Sequence, residues 1–517
     1  MISMKKLNNK IILILITTGL IAISCSEDFL DQKPTSTITE LIYYKDVAEL
    51  ETGLVACYGA IAGTVGFECA HWGTGDIGSD DADKGSLDNV IPELLDISYS
   101  RQKATNTWLD IIWERCYAII SRCNEVIDKS SGTYVGTHSD TIKIKNIVNQ
   151  ARYLRALSFY QLVTSFGDIP LVTRFLNLDE LNLKRAPAAD IWVQIESDLR
   201  AATNLPAISE SGRVTSGAAY SLLGKVYLTQ KKYELANAAF YKVVNSNVYQ
   251  LVPDFGFIFR HDGENCEESV FEIQHKNHIE GGNLGTYSGM FRIPGDIAAR
   301  LYGFDCPTVD LLKEFEPGDP RIIYTFMFPG DVFPIDESSN YTFENGYSPS
   351  GYNSRKAWIP FSERLGVAST DWDINYRYMR YAEVLLLYAE SLNEVNKPDS
   401  ARMLVNMIRE RARNTPTTDP QRISCACDLS YSGELLPNVT TNNQSELRDA
   451  IWHEQRVELA IEGHRRNTLL RTGRFKERMK AAKAYAGVTV EPHELLLPIP
   501  QNEIEVSNHV LTQNPGY

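Results

Sequence analysis

"AAYSLLGKVYLTQKKYELANAAFYKVV", Ala218–Val244, decides the fold. Its Tyr220, Leu223, Gly224, Tyr227, Ala236, Phe240 and Val243 stand where a tetratricopeptide repeat puts Trp, Leu, Gly, Tyr, Ala, Phe and a further small or apolar residue. The spacing has a physical reason. Gly224 and Ala236 let two antiparallel helices approach closely, and the rings of Tyr220, Tyr227 and Phe240 fill the seam. The same register returns in "LLLYAESLNEVNKPDSARMLVNMI" at Leu385, Tyr388, Ala389, Leu392, Ala401, Val405 and Ile408.

Two further stretches carry the helical period without the full pattern. "ATNTWLDIIWERCYAIISRCNEVI" repeats apolar residues at Trp113, Tyr117, Ile120 and Cys123, and "VNQARYLRALSFYQLVTSFGDIPLV" at Leu154, Leu157, Tyr160 and Leu162. Repeat helices cannot bury both faces alone, so these should stack beside the clear repeats. The expectation is a mainly α, tetratricopeptide-type scaffold with long irregular insertions and few short strands. Helix pairs are expected around residues 40–63, 105–130, 146–165, 190–246 and 376–412, all within one domain, 25–517.

The insertions fall around 66–100 and 248–375, and both are expected to carry ligand-binding loops. Residues 324–361 hold 10 aromatics in 38 positions, against 10% for the whole chain, and Gly, Pro, Ser and Asn interrupt any regular period there. Such rings are not filling helix seams. A sugar ring presents apolar C–H faces that stack on Tyr or Trp, while carboxylates and amides take its hydroxyls. Tyr341, Tyr347, Tyr352 and Trp358 are therefore candidate stacking residues, joined by Trp72 with Asp80 and Asp81 from the earlier loop.

The N-terminus shows an export signal. Lys5, Lys6 and Lys10 precede "IILILITTGLIAI", Ile11–Ile23, 13 uncharged residues. A bilayer-spanning helix needs about 18 or more. Residues 1–24 should be removed, and Ala22, Ile23 and Ser24 before Cys25 resemble a bacterial lipobox, whose cysteine is acylated. Two or three acyl chains, at ~0.8 kcal/mol per buried methylene, hold such a protein on a membrane without crossing it. Losing the three lysines takes the net charge from −15 to −18. An acidic surface repels phosphate backbones, which argues against a nucleic-acid partner.

Other motifs carry less. "GTGDIG", Gly73–Gly78, lacks a preceding apolar strand and is followed by Asp80, Asp81 and Asp83, which would repel a pyrophosphate. "HEQRV", His453–Val457, lacks the second histidine of a zincin, so no metal site is expected. Cys116 and Cys123 lie about 10 Å apart along a helix at ~1.5 Å per residue, too far to bridge. Cys425 and Cys427 form only a C-x-C; the cysteines beyond Cys25 are expected to be mostly buried thiols, with a Cys57–Cys69 bridge left open. Glu454, Glu458 and Glu462 line one helical face among arginines, the pattern of an Arg–Glu network rather than a glycosidase acid–base pair.

Four segments resemble the SusD/RagB family of nutrient-binding outer-membrane lipoproteins: "CSEDFLD" from Cys25, "RYMRYAEVLLLYAESLNE" from Arg377, "WHEQRVELAIEGHRRNTLLRTGR" from Trp452 and the closing "LLPIPQNEIEVSNHVLTQNPGY". The resemblance spans nearly the whole mature chain. It implies a lipidated Cys25, with Glu27 and Asp28 in the signal that sends the protein to the cell exterior. It also implies a non-enzymatic role: capturing a nutrient, usually a glycan, for a SusC-like TonB-dependent transporter. Peptide cargo is the alternative within the family, and a surface glycosidase using Glu454 and Glu458 the alternative outside it. No cofactor is expected; calcium at the acidic loop is left open.

Overall fold

The computed structural model describes residues 44–517, apart from 64–65, 88, 178–179, 278–284, 287, 295–300, 346 and 365–370. The export signal, Cys25, Glu27 and Asp28 lie outside the described residues, as do residues 40–43 of the first expected helix pair. No helix among the described residues is long and apolar enough to cross a membrane.

The principal helices are α1 (Val47–Ile61), α2 (Phe67–Gly75), α3 (Thr107–Lys129), α4 (His138–Phe166), α5 (Ala188–Ala202), α6 (Ser216–Thr229) and α7 (Tyr233–Val244). After the insertion come α8 (Tyr381–Glu394), α9 (Pro398–Asn414), α10 (Gln444–Glu458) and α11 (Arg465–Arg471). The quoted repeat is the pair α6–α7. Thr215 starts it by accepting from the Ala218 amide, a cap that satisfies one orphan donor of the first turn. A Cβ placed on Gly224 would lie 2.5 Å from the Phe240 ring. That is the close approach the repeat spacing implies.

Successive helices pack side by side, α3 on α4, α4 on α5, α5 on α6 and α6 on α7. The array then jumps the insertion: α7 packs on α8, and Phe240 meets Tyr388 at 6.4 Å between ring centroids. Residues 376–380 are not helical as the sequence suggested. They form β8 (Tyr376–Arg380), buried at every position and paired antiparallel with β2 (Ser269–Ile273). A five-residue run with both faces covered is the pattern of a buried strand, which periodicity alone does not separate from a helix start. Among the described residues the other strands form three more two-stranded sheets: β1 (Ala82–Gly85) with β3 (Phe304–Pro307), β4 (Phe326–Met327) with β7 (Asn353–Ser354), and β5 (Val332–Pro334) with β6 (Asn340–Thr342). The protein is mainly α, with a repeat-type helical scaffold and few short strands.

A buried ion network joins scaffold to insertion. Arg380, at the β8–α8 junction, donates to Glu462 at 2.7 Å and to Glu268 at 2.6 Å, and reaches Glu458 at 3.1 Å. Arg411 also bridges Glu268 and Glu458, while Arg321 links Asp319, Glu454 and Glu458. Burial alone would raise the Glu458 carboxyl; Arg411, Arg380 and Arg321 outweigh it and hold it at about 2. The glutamate row of α10 is a network that ties α9, α10 and β8 together.

Cys57 and Cys69 are both free, whereas Cys425 and Cys427 are joined as a disulfide. This corrects the expectation of free thiols there: the Cα atoms lie 5.2 Å apart, within bonding range.

Candidate ligand-binding site

The aromatic-rich insertion folds onto itself. In the β5–β6 hairpin Phe333 stands opposite Tyr341, and the chain returns at Trp358 and a 3-10 turn, Phe361–Glu363, that follows Pro360. The Trp358 ring lies 4.3 Å from Phe333, 5.9 Å from Tyr341 at 16° between planes, and 5.5 Å from Phe361. Trp358 is 2% exposed, while Tyr341 and Phe361 are only half-buried. The cluster thus leaves Tyr341 and Phe361 partly exposed beside the buried Trp358 indole. The Arg364 guanidinium covers the Trp358 and Phe361 rings at 4.2 and 4.3 Å, a cation–π stack.

Polar groups border this patch. His261 bridges Glu363 through Nδ1 and Asp373 through Nε2, the latter at 3.2 Å. The Asn277 amide donates to the other Asp373 oxygen at 2.8 Å. Ile374, packed on the aromatic cluster, also walls a cavity of about 60 Å³ lined by Ser288, Arg292, Lys356, Asn375 and Arg377. Small-molecule pockets run to ~300–1,000 Å³, so this cavity is too small to enclose a whole ligand ring. Burial lowers the Lys356 ammonium to about 8 against the pull of Glu462, leaving it a cation at neutral pH.

The His261 clamp makes a pH prediction. Hydrogen bonds to Asp373 and Glu363 raise the imidazole from 6.5 to about 10. A raised folded-state value contributes stability that is complete below the unfolded value of 6.5 and lost as pH climbs through about 10. His261→Gln should cost about 1–2 kcal/mol at pH 6, and the difference from wild type should fade by pH 10.5. Denaturant melts of both proteins across that range check it; a difference independent of pH would refute it.

Residues 304–517 match the family model described as the SusD family, and residues 28–228 match one described as "Starch-binding associating with outer membrane". The chain belongs to the SusD family. It is 27% identical to SusD-like protein P2 of Formosa agariphila over 99% of this chain and 100% of that protein. It is 24% identical to the starch-binding protein SusD of Bacteroides thetaiotaomicron, over 83% of this chain and 81% of that one. Among solved structures, a laminarin-binding SusD-like protein superposes with a TM-score of 0.73 at 26% identity, covering 92% of this chain and 100% of that chain.

Within this SusD-family chain the seven candidate side chains part company. Trp72 has no exposed surface and packs between Trp108 and Phe291, at 5.8 and 6.0 Å. Asp80 is gripped by Arg456, Arg465 and Arg478, and Asp81 by Arg456. Burial would raise Asp80, but Arg465 and Arg456 hold it far below the usual carboxylate range. These three are a correction: an indole sealed in the core and carboxylates already matched by guanidinium groups offer nothing to a ligand. Trp358 is likewise too buried to be a stacking face and serves as the base beneath Tyr341. Tyr352 packs on Phe326 and Phe328 at 5.9 and 5.2 Å, in a separate cluster. Tyr347 is 54% exposed, and its amide donates to the Asn345 side chain.

Sequence reasoning missed Phe361, Arg364, His261, Glu363 and Asp373. Aromatic density pointed to the right insertion, but nothing in the residue spacing joins His261 to residues a hundred positions later. The glycosidase alternative loses its geometry: Glu454 and Glu458 are fully buried and ion-paired. The strongly acidic Glu458, held at about 2, is the opposite of a general acid, whose proton must stay bound near neutral pH.

Proposed function

We propose that this protein binds glycan at the exterior of the outer membrane and passes it to a SusC-like TonB-dependent transporter, without chemical turnover. The observation that carries the reading is the half-exposed Tyr341–Phe361 ring pair, 5.5 Å between centroids, seated on Trp358 beside acid and amide groups. Apolar ring faces with polar groups at their margin suit a saccharide, which is apolar on its faces and hydroxylated at its rim. Relatives described as binding starch and laminarin support the same class. The lipobox-like Ala22–Ser24 before Cys25 supports a lipid anchor. We assign the transporter to the helical scaffold, where Trp113 and Tyr117 of α3, with Leu183 and Leu511 from the connecting and C-terminal segments, line a mixed apolar and polar hollow of about 270 Å³.

Calorimetry against a panel of oligosaccharides tests the binding role. A double replacement, Tyr341→Ala with Phe361→Ala, should weaken the best ligand about 10- to 100-fold, since each stacked ring contributes ~0.5–1.5 kcal/mol beyond its buried area. Peptide binding with no saccharide bound would overturn the glycan reading. Surface labelling of intact cells, with Cys25→Ala as comparison, tests the anchor; equal labelling of both would refute it.

A further inference from the structure

Arg364, which is partly buried, is built unlike the buried arginines in and beside the insertion. Arg355 and Arg422 share Asp419, and Arg380 and Arg411 share Glu268 and Glu458. Among the described residues Arg364 has no carboxylate within ion-pair distance. Its one hydrogen bond among them runs from Nε to the Ile359 carbonyl at 2.7 Å, and its Nη2 is buried with no partner. The adjacent Glu363 does not serve it, because His261 holds that carboxylate together with Asp373. An enclosed, unmatched N–H is costly, and for a guanidinium the natural match is a bidentate oxyanion. Stacking on Trp358 and Phe361 fixes the plane of the fork, and a sugar ring lying on Tyr341 and Phe361 brings its substituents alongside it.

We propose that this site selects saccharides carrying an oxyanion, a uronate carboxylate or a sulfate ester, and that Arg364 reads that group. The inference rests on the carbohydrate reading above and narrows it to acidic glycans.

The test is calorimetry on an array of neutral, uronate-containing and sulfated oligosaccharides, for wild type, Arg364→Gln and Arg364→Lys. At least one acidic probe should bind 10-fold or more tightly than its neutral counterpart, in the order-of-magnitude range of a charge-assisted hydrogen bond, and which class does so separates carboxylate from sulfate. Arg364→Gln should abolish that preference. Arg364→Lys, keeping charge but losing the fork, should retain part of it, and raised salt should weaken the acidic probe in wild type alone. Neutral probes binding as tightly as acidic ones, or a preference that survives in Arg364→Gln, would overturn the inference and leave carbohydrate binding standing. No saccharide bound at all would overturn both.

Discussion

Arg380→Met should destabilise the protein by about 3–5 kcal/mol at neutral pH, the range seen when one partner of a buried ion pair is removed. The methionine keeps much of the side-chain volume, so the loss is electrostatic rather than a cavity. Arg380 is 1% exposed and is shared by Glu268, Glu458 and Glu462. Removing it leaves three carboxylates with Arg411, Arg321 and Lys356 alone.

The sign of the pH dependence separates this account from simple misfit. In the wild type Glu458 sits at about 2, below its ordinary 4.5. Its depressed value contributes stability present above 4.5 and lost as pH falls through about 2. Without Arg380 the carboxyl rises, so the variant has less of this stability to lose. The gap between wild type and Arg380→Met should therefore narrow as pH falls from 7 toward 3 in denaturant melts. A gap that stays constant would mean packing, not charge, is what Arg380 supplies. Arg380→Lys, which keeps the charge but cannot donate to three carboxylates at once, should fall between the two.

This network also marks how far the sequence could be read. The repeat seams were legible because their rule is local: Gly224 faces Phe240 at a fixed offset, and Ala389 faces the next helix by the same offset. The α10 glutamates were legible as a charged row, since a four-residue spacing stacks side chains on one face. Their partners were not, because Arg321, Lys356 and Arg380 come from the insertion and the β8–α8 junction and meet α10 only through the tertiary fold. The binding patch fails to read out for the same reason. Tyr341 and Trp358 stood out by composition, yet whether a ring stacks on a ligand or on a neighbour depends on burial, and burial of a loop is set by what folds over it. Trp72, Asp80 and Asp81 looked like ligand residues because aromatic and acidic residues in a Gly-rich stretch fit a binding loop; Trp108 and Phe291 cover the indole instead, and Arg456 of α10 with Arg465 and Arg478 takes the carboxylates.

The glycines of that stretch lead to the other large effect. In "GTGDIG" a Cβ on Gly75 would lie 1.9 Å from the Gly463 carbonyl oxygen and 2.5 Å from its carbonyl carbon. Both obstacles are backbone, so no rotamer change relieves the contact. Gly75→Ala must push α2 away from the 461–464 turn, where Gly463 itself has a φ of 85° and donates its amide to Asp76 at 2.7 Å. The same turn carries Glu462, the partner of Arg380 and Lys356, so displacement spreads into the ion network and to the wall of the cavity at the candidate site. Overpacking in a close-packed core typically costs ~1–3 kcal/mol and more where backbone must move, and Gly75→Ala should reach about 3 kcal/mol or above. Gly224→Ala is the matched control: its obstacle is the Phe240 ring at 2.5 Å, a buried side chain rather than backbone, and its cost should stay within that range. Denaturant melts of both variants, with saccharide affinity measured alongside, decide the matter. Gly75→Ala should lose affinity as well as stability, Gly224→Ala stability alone. Equal destabilisation with unchanged binding in both would mean that the α2 contact with the 461–464 turn does not position the site.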